Sequence, residues 1–274
     1  MKRIISLTTI PPRFKYLTAT LESLLNQDSI DEVRLYIAKE YRRFPEYDGH
    51  FPTVPKGIKV CQIEEDLGPA SKILPAIKDF KNQDIQILFC DDDLIYHKDW
   101  AKKLFDIQEQ RPTEAVATYG RNINNECKTS YYKAKEPEAK SILPEKDILY
   151  RANRLIAKIF KTEPPLFRPI IKAGYVDILF GVGGVVVKPN FFDEEAFNIP
   201  NEAFSVDDIW LSGQLARKKI PIYCPKRLPF AKTSQASEQD SLLESDFLGY
   251  TRQESNIKAI HYCQDKYGIW GKIE

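Results

Sequence analysis

Ile85-Gln86-Ile87-Leu88-Phe89-Cys90-Asp91-Asp92-Asp93 is an apolar run that ends in three adjacent carboxylates. A short run of this composition reads as a strand buried on both faces. Such a strand needs neighbours, and residues 4–9, 33–38, 58–63 and 115–119 are runs of the same kind. Between them lie stripes with helical spacing: Leu17, Leu21, Leu24 and Leu25, then Ile73, Ile77 and Phe80, then Trp100, Leu104 and Ile107. Strands alternating with helices imply βα units, hence an α/β fold with a mixed, mostly parallel sheet flanked by helices. Functional loops in such sheets lie beyond the carboxyl ends of the strands, where the three aspartates fall.

The remainder of the chain bounds this reading. A length of 274 residues with 43% hydrophobic content supports one sizeable core in one large domain. Lys and Arg number 40 against 39 Asp and Glu, without the basic excess of a nucleic-acid-binding protein. The start looks superficially like a signal peptide, but its apolar run is short, Pro11 and Pro12 break it, and a first strand fits better. No stretch approaches the roughly 20 apolar residues that span a bilayer, so the expectation is a soluble cytoplasmic chain, with peripheral membrane association left open. The five cysteines (Cys61, Cys90, Cys127, Cys224 and Cys263) are odd in number and form no C-x-x-C pair. That pattern argues against a zinc site or disulfide framework and suits a reducing compartment.

Beyond residue 120 the pattern changes. Residues 121–170 are polar and Lys-rich, with a helix expected over 144–160 and ended by Pro164-Pro165. Residues 176–187 read as an apolar strand interrupted by Gly181, Gly183 and Gly184, which permit unusual dihedrals and close backbone approach. A helix over 205–218, a strand over 220–224, a mobile loop over 226–245 and a helical C-terminal tail over 253–267 follow.

If strand geometry persists past Cys90, Asp91 and Asp93 share one face and Asp92 is opposed. Two hard oxygen ligands suit Mn²⁺ or Mg²⁺ and leave positions for water and a diphosphate. The competing reading is a solvated acidic turn. Placement at the end of a central strand, where three like charges repel, favours a cation.

Four segments in order resemble the glycosyltransferase A fold and, within it, the family-2-like nucleotide-sugar transferases. They are residues 6–13 (Ser-Leu-Thr-Thr-Ile-Pro-Pro-Arg), 66–72 (Asp-Leu-Gly-Pro-Ala-Ser-Lys), the Asp-x-Asp element Asp91 to Asp93, and 206–211 (Val-Asp-Asp-Ile-Trp-Leu). The resemblance implies a GT-A-like, Rossmann-like catalytic domain over 1–225. Residues 1–120 would form its nucleotide-sugar-binding half and 121–225 its acceptor-binding half, with 226–274 as a loop and helix that could close over the site. It implies a UDP-type nucleotide-sugar donor, a glycan or other hydroxyl acceptor, and a divalent metal.

Residue by residue, Thr8, Thr9 and Arg13 would line the base and ribose pocket; strand filling and a structural ion pair are the alternatives. Lys72, beside the Gly68-Pro69 turn, would meet the nucleotide or its phosphates, and a surface lysine on a first helical turn is the other reading. Asp66 would bond the base or cap the turn. Asp91 would address the ribose, Asp93 the metal and Asp92 the donor sugar. Asp208 would be the general base of an inverting transfer, with Asp207 orienting a substrate. Helix-dipole stabilisation competes for both acids. Trp210 would stack on a sugar or anchor the helix. His261 is the positional candidate for a third metal ligand, and Lys232 for a phosphate contact in the closing loop. A sugar nucleotidyltransferase is the nearest rival, but no glycine-rich loop follows the first strand. A non-catalytic nucleotide- or glycan-binding module is the other.

Overall fold

The computed structural model describes residues 1–125, 135–162, 166–239 and 250–271. Cys127, the Pro164-Pro165 stop and the loop expected over 240–245 lie outside the described residues.

Eight strands form the main sheet: β1 (Lys2–Thr8), β2 (Glu32–Ala38), β3 (Ile58–Ile63), β4 (Ile85–Phe89), β5 (Ala115–Ala117), β6 (Gly174–Val176), β7 (Val185–Val187) and β8 (Ile222–Cys224). Their order is β6-β8-β5-β7-β4-β1-β2-β3. The pairs β1–β2, β1–β4, β2–β3 and β5–β8 are parallel, whereas β7 runs antiparallel between β4 and β5, and β6 antiparallel to β8. The sheet is therefore mixed and mostly parallel, as expected. Among the described residues six α-helices accompany it: α1 (Thr18–Leu25), α2 (Leu74–Asp79), α3 (Trp100–Glu109), α4 (Ile148–Ile159), α5 (Asp207–Arg217) and α6 (Arg252–Tyr267).

Side-chain alternation explains the layering. Ile5, Leu7, Leu35, Leu88, Val116 and Val186 pack under α1 and α3. Their strand neighbours Ile4, Tyr36, Ile87, Phe89, Val185 and Val187 pack under α2 and α5. A third cluster joins α5 to α6 through Ile209, Trp210, Ala259, Ile260 and Cys263. The C-terminal helix is thus a fixed part of the core. Among the described helices none is long and apolar enough to cross a membrane.

Residues 176–187 do not form one interrupted strand. Gly174–Val176 joins β8, Ile178–Leu179 pairs with Gly120–Arg121, and only Val185–Val187 enters the sheet centre. The chain reverses at Gly183 and Gly184, at φ +89° and +94°. Gly184 also faces Trp100 so closely that a Cβ would lie 2.3 Å from the indole. That approach lets α3 pack on the sheet and the Trp100 Nε1–H donate to the Gly183 carbonyl at 2.6 Å.

Candidate active site

Parallel pairing of β1 with β4 brings two carboxyl ends together, with Ser6 opposite Phe89. The residues that follow, Thr8-Thr9 and Cys90 to Asp93, share one edge of the sheet, where open α/β sheets bind ligands. A cleft of about 520 Å³ opens there, within the usual size of ligand sites. Thr8, Thr9, Arg13, Asp66, Lys72, Asp91, Asp92, Asp93, Asp207 and Asp208 all line it. Segments up to 200 residues apart therefore converge as the sequence reading required.

The three aspartates are not sorted by strand alternation. The strand ends at Phe89, and a turn begins at Asp92. Asp91 instead reaches across to Lys72, with Nζ 2.5 Å from Oδ1. Asp92 is buried and accepts from the Thr9 hydroxyl at 2.5 Å and from Arg13 Nη1 at 2.6 Å. The same Arg13 nitrogen lies 3.3 Å from Asp93 Oδ2. The turn is pinned from below by Tyr96, whose hydroxyl donates to the Asp91 carbonyl at 2.9 Å and accepts from the Asp91 amide at 3.1 Å.

Lys72 is not a surface lysine. Its side chain is 7% exposed and also lies 3.1 Å from Asp207 Oδ2, on the first turn of α5. Burial alone would lower the ammonium pKa, but Asp207, Asp91 and Asp208 outweigh it and hold Lys72 well above its ordinary range. Asp208, next on α5, accepts from the Gly181 amide at 2.8 Å. The absent side chain at Gly181 leaves room for the ion pair: a Cβ there would lie 2.8 Å from Lys72 Nζ and 3.3 Å from Asp208 Oδ1 and would push the ammonium aside.

Five carboxylates (Asp91, Asp92, Asp93, Asp207 and Asp208) line one cleft, with Arg13 ion-paired to Asp92 and Asp93 and Lys72 to Asp91 and Asp207. Burial and mutual repulsion show in their acidities. Burial, then Asp91 and Asp92, push Asp93 up to about 6. Burial, then Asp207, push Asp208 up to about 7. The Arg13 guanidinium is raised by Asp92 and Asp93 against the effect of its own burial.

Other expected residues fall elsewhere or do different work. The Thr8 hydroxyl donates to the Tyr36 carbonyl at 2.9 Å, so it is committed to the neighbouring strand. Asp66 caps its turn, accepting from the Arg42 and Gly68 amides, both at 2.8 Å. Trp210 is fully buried and donates to the Ala196 carbonyl, which leaves no face for a sugar. His261 is exposed on α6 and does not line the cleft, and among the described residues no group of three or more His, Cys, Asp or Glu is arranged to hold a metal. Lys232 is exposed and paired with Ile95, while its neighbour Thr233 lines the cleft. The described part of the expected mobile loop is tied down: the Ser234 amide donates to the Asp93 carbonyl at 2.8 Å, and Arg13 Nε to the Gln239 carbonyl at 3.0 Å.

Sequence reading missed Arg43, Arg121, Phe180 and Arg252, all of which line the cleft. Arg252 lies between the helix-capping pair Thr251 and Glu254, whose spacing marks a helix start. Nothing local says that this helix start is docked on the Ser205 carbonyl beside Asp208.

Solved structures with similarity include S. aureus TarS (15% identity, 87% of this chain and 37% of that one, TM-score 0.44). Others are TarS 1-349 in complex with UDP (15%, 85% and 60%, 0.43) and TarS 1-349 (14%, 97% and 72%, 0.45). The chain thus spans 37% and 60% of the length of the first two. No curated protein matches. The family model for glycosyl transferase family 2 matches residues 12–171, more than half of the 274-residue chain, and takes in Arg13, Lys72 and the three aspartates. The protein belongs to glycosyl transferase family 2.

Proposed function

We propose that this protein is a glycosyltransferase that moves a sugar from a UDP-type nucleotide-sugar to a hydroxyl of a glycan or related acceptor, with inversion, and that Asp208 is the base. The observation that carries the proposal is the Asp208 carboxylate: it lines the cleft, is oriented through Oδ1 by the Gly181 amide, and is pushed up to about 7. A base with a pKa near the working pH combines ionisation with proton affinity. Asp208 Oδ2 takes the acceptor hydroxyl proton, the acceptor oxygen forms its bond to the anomeric carbon, and the bond from that carbon to the diphosphate breaks with its electron pair leaving on the diphosphate. Asp207 and Asp91, clamped by Lys72, set the spacing between α5 and the acidic turn. Arg13 fixes the orientation of Asp92 and Asp93.

The reading includes a hard divalent cation such as Mn²⁺ or Mg²⁺. Two cleft-lining carboxylates, Asp91 and Asp93, are of the kind such a cation takes as ligands, and positive charge beside Asp93 would offset the repulsion from Asp91 and Asp92 that raises it. Bound there, the cation would neutralise charge on the departing diphosphate. His261 and Lys232 are not carried into this site. In this reading Lys72 and Asp91 belong to the nucleotide half over 1–120, and Asp207 and Asp208 to the acceptor half over 121–225.

The test is a thermal-shift screen of nucleotide sugars with and without Mn²⁺, followed by NMR assignment of the product anomer. A metal-enhanced shift with a UDP-sugar and an inverted product is expected. A retained configuration would remove Asp208 from its role. Donor binding without turnover, together with tolerance of Asp208→Ala, would reduce the protein to a binding module.

A further inference from the structure

The helix α4 presents an apolar face that nothing among the described residues covers. Twelve large apolar side chains are exposed among the described residues, and six of them lie between Ile148 and Phe160. Ile148, Leu149, Leu155, Ile156, Ile159 and Phe160 are each 52–80% exposed, which is far from the scattered single residues of an ordinary surface. At 100° per residue they fall within one arc of roughly 140°. The arc that faces the protein is the opposite one: Ala157 is buried, and the Tyr150 ring packs on Phe167 at 5.1 Å. On the flank between the two lie Arg151, Arg154 and Lys158. The helix ILYRANRLIAKI contains no acid, although Asp147 serves as its N-cap and Glu145 precedes it.

We propose that α4 is an interfacial helix that seats the protein on an anionic phospholipid surface, its apolar arc in the acyl boundary and its basic flank against the headgroups. Three features select this occupant. A helix of 12 residues is too short to span a bilayer, for which about 20 are needed, yet it can lie in the interface plane. An all-basic flank beside an apolar face matches the charge of anionic headgroups. A second copy of the chain would bring the same basic flank and no acid on this helix to meet it. The helix is also linked to the loop that carries the cleft-lining Val182: the carbonyl of Phe167, whose ring packs on Tyr150, accepts from the Phe230 amide at 2.7 Å, and the Phe230 ring borders Gly183. The inference does not depend on the catalytic assignments.

Sedimentation of the full chain with vesicles tests it. Binding to mixed phosphatidylcholine–phosphatidylglycerol vesicles is expected, with at least about tenfold weaker binding to phosphatidylcholine alone and loss on adding salt. Ile148→Ser, Leu155→Ser and Ile159→Ser together should abolish binding without lowering the melting temperature, because these side chains are exposed in the folded protein. Arg151→Glu, Arg154→Glu and Lys158→Glu should remove the anionic preference. Absence of vesicle binding by the wild type, or a serine variant that binds as before, overturns the proposal. So does a wild-type dimer that the serine variant converts to monomer, which would make the face a self-interface.

Discussion

Replacing Asp208 by asparagine should disable the enzyme and stabilise its fold. The carboxylate pKa is about 7 in the folded protein against an ordinary 3.8, because burial and Asp207 disfavour the charge. Each pKa unit is about 1.4 kcal/mol, so ionised Asp208 costs the fold on the order of 4 kcal/mol above pH 7. The sign follows from proton binding. The folded state holds the proton more tightly than the unfolded chain, so the cost is absent below about pH 4 and grows as pH rises through 7. Asparagine keeps the Oδ1 acceptor for the Gly181 amide and removes the charge. Relaxation around the amide would consume part of the gain, leaving about 2 kcal/mol at pH 8, or roughly 5 °C in melting temperature for a chain of this size. Urea or thermal unfolding of both proteins between pH 4 and pH 8 is the assay. The stability difference should widen with pH while kcat falls by about 10²–10⁴, the usual contribution of a general base. Parallel stability curves over that range would refute the buried-charge reasoning, and near-normal turnover would refute the base.

The same geometry sets further outcomes. In the wild type, kcat/KM should fall below about pH 7 as Asp208 takes up a proton, and the acid limb of a pH–rate profile reads this directly. Asp93→Asn should lower or abolish the Mn²⁺-dependent part of the donor-induced thermal shift while leaving the apoprotein folded; an unchanged metal response would remove Asp93 from the metal site. Lys72→Ala strands Asp207 and Asp91 without their cation and should cost about 3–5 kcal/mol in denaturant unfolding, with partial recovery when Asp207→Asn is added. Gly181→Ala places a methyl 2.8 Å from Lys72 Nζ, so steady-state kinetics should show activity reduced about tenfold or more with a melting temperature changed by only a few degrees.

What the chain discloses in advance depends on the range of the forces involved. Strands β1 to β4 and helices α1 to α3 follow from local apolar spacing, because each buries a face against a continuous sheet and alternation sorts its residues between two layers. Residues 176–187 defeat the same logic. A strand and a reversal look alike in composition when glycines interrupt valines; the run breaks once after Val176, where Ile178–Leu179 turns to a different partner, and again at Gly183 and Gly184 with their positive φ. The site divides along the same line. That Asp91 to Asp93 stand beyond a strand end is a local fact, and it was legible. Which carboxylate meets which cation is settled by Arg13 and Lys72, contributed by other segments, and strand periodicity does not reach that far. Lys72 makes the point most sharply. In sequence it is a lysine on a turn, equally at home in solvent. In the fold its buried charge sits between Asp91 and Asp207 and is ion-paired to both. The ion pair therefore does more than stabilise. It couples the acidic turn after β4 to the start of α5, so that the proposed metal side and the proposed base side of the reaction hold one spacing. A change at either end should be felt at the other, which is why loss of Lys72 should disturb both the metal response and the pH profile.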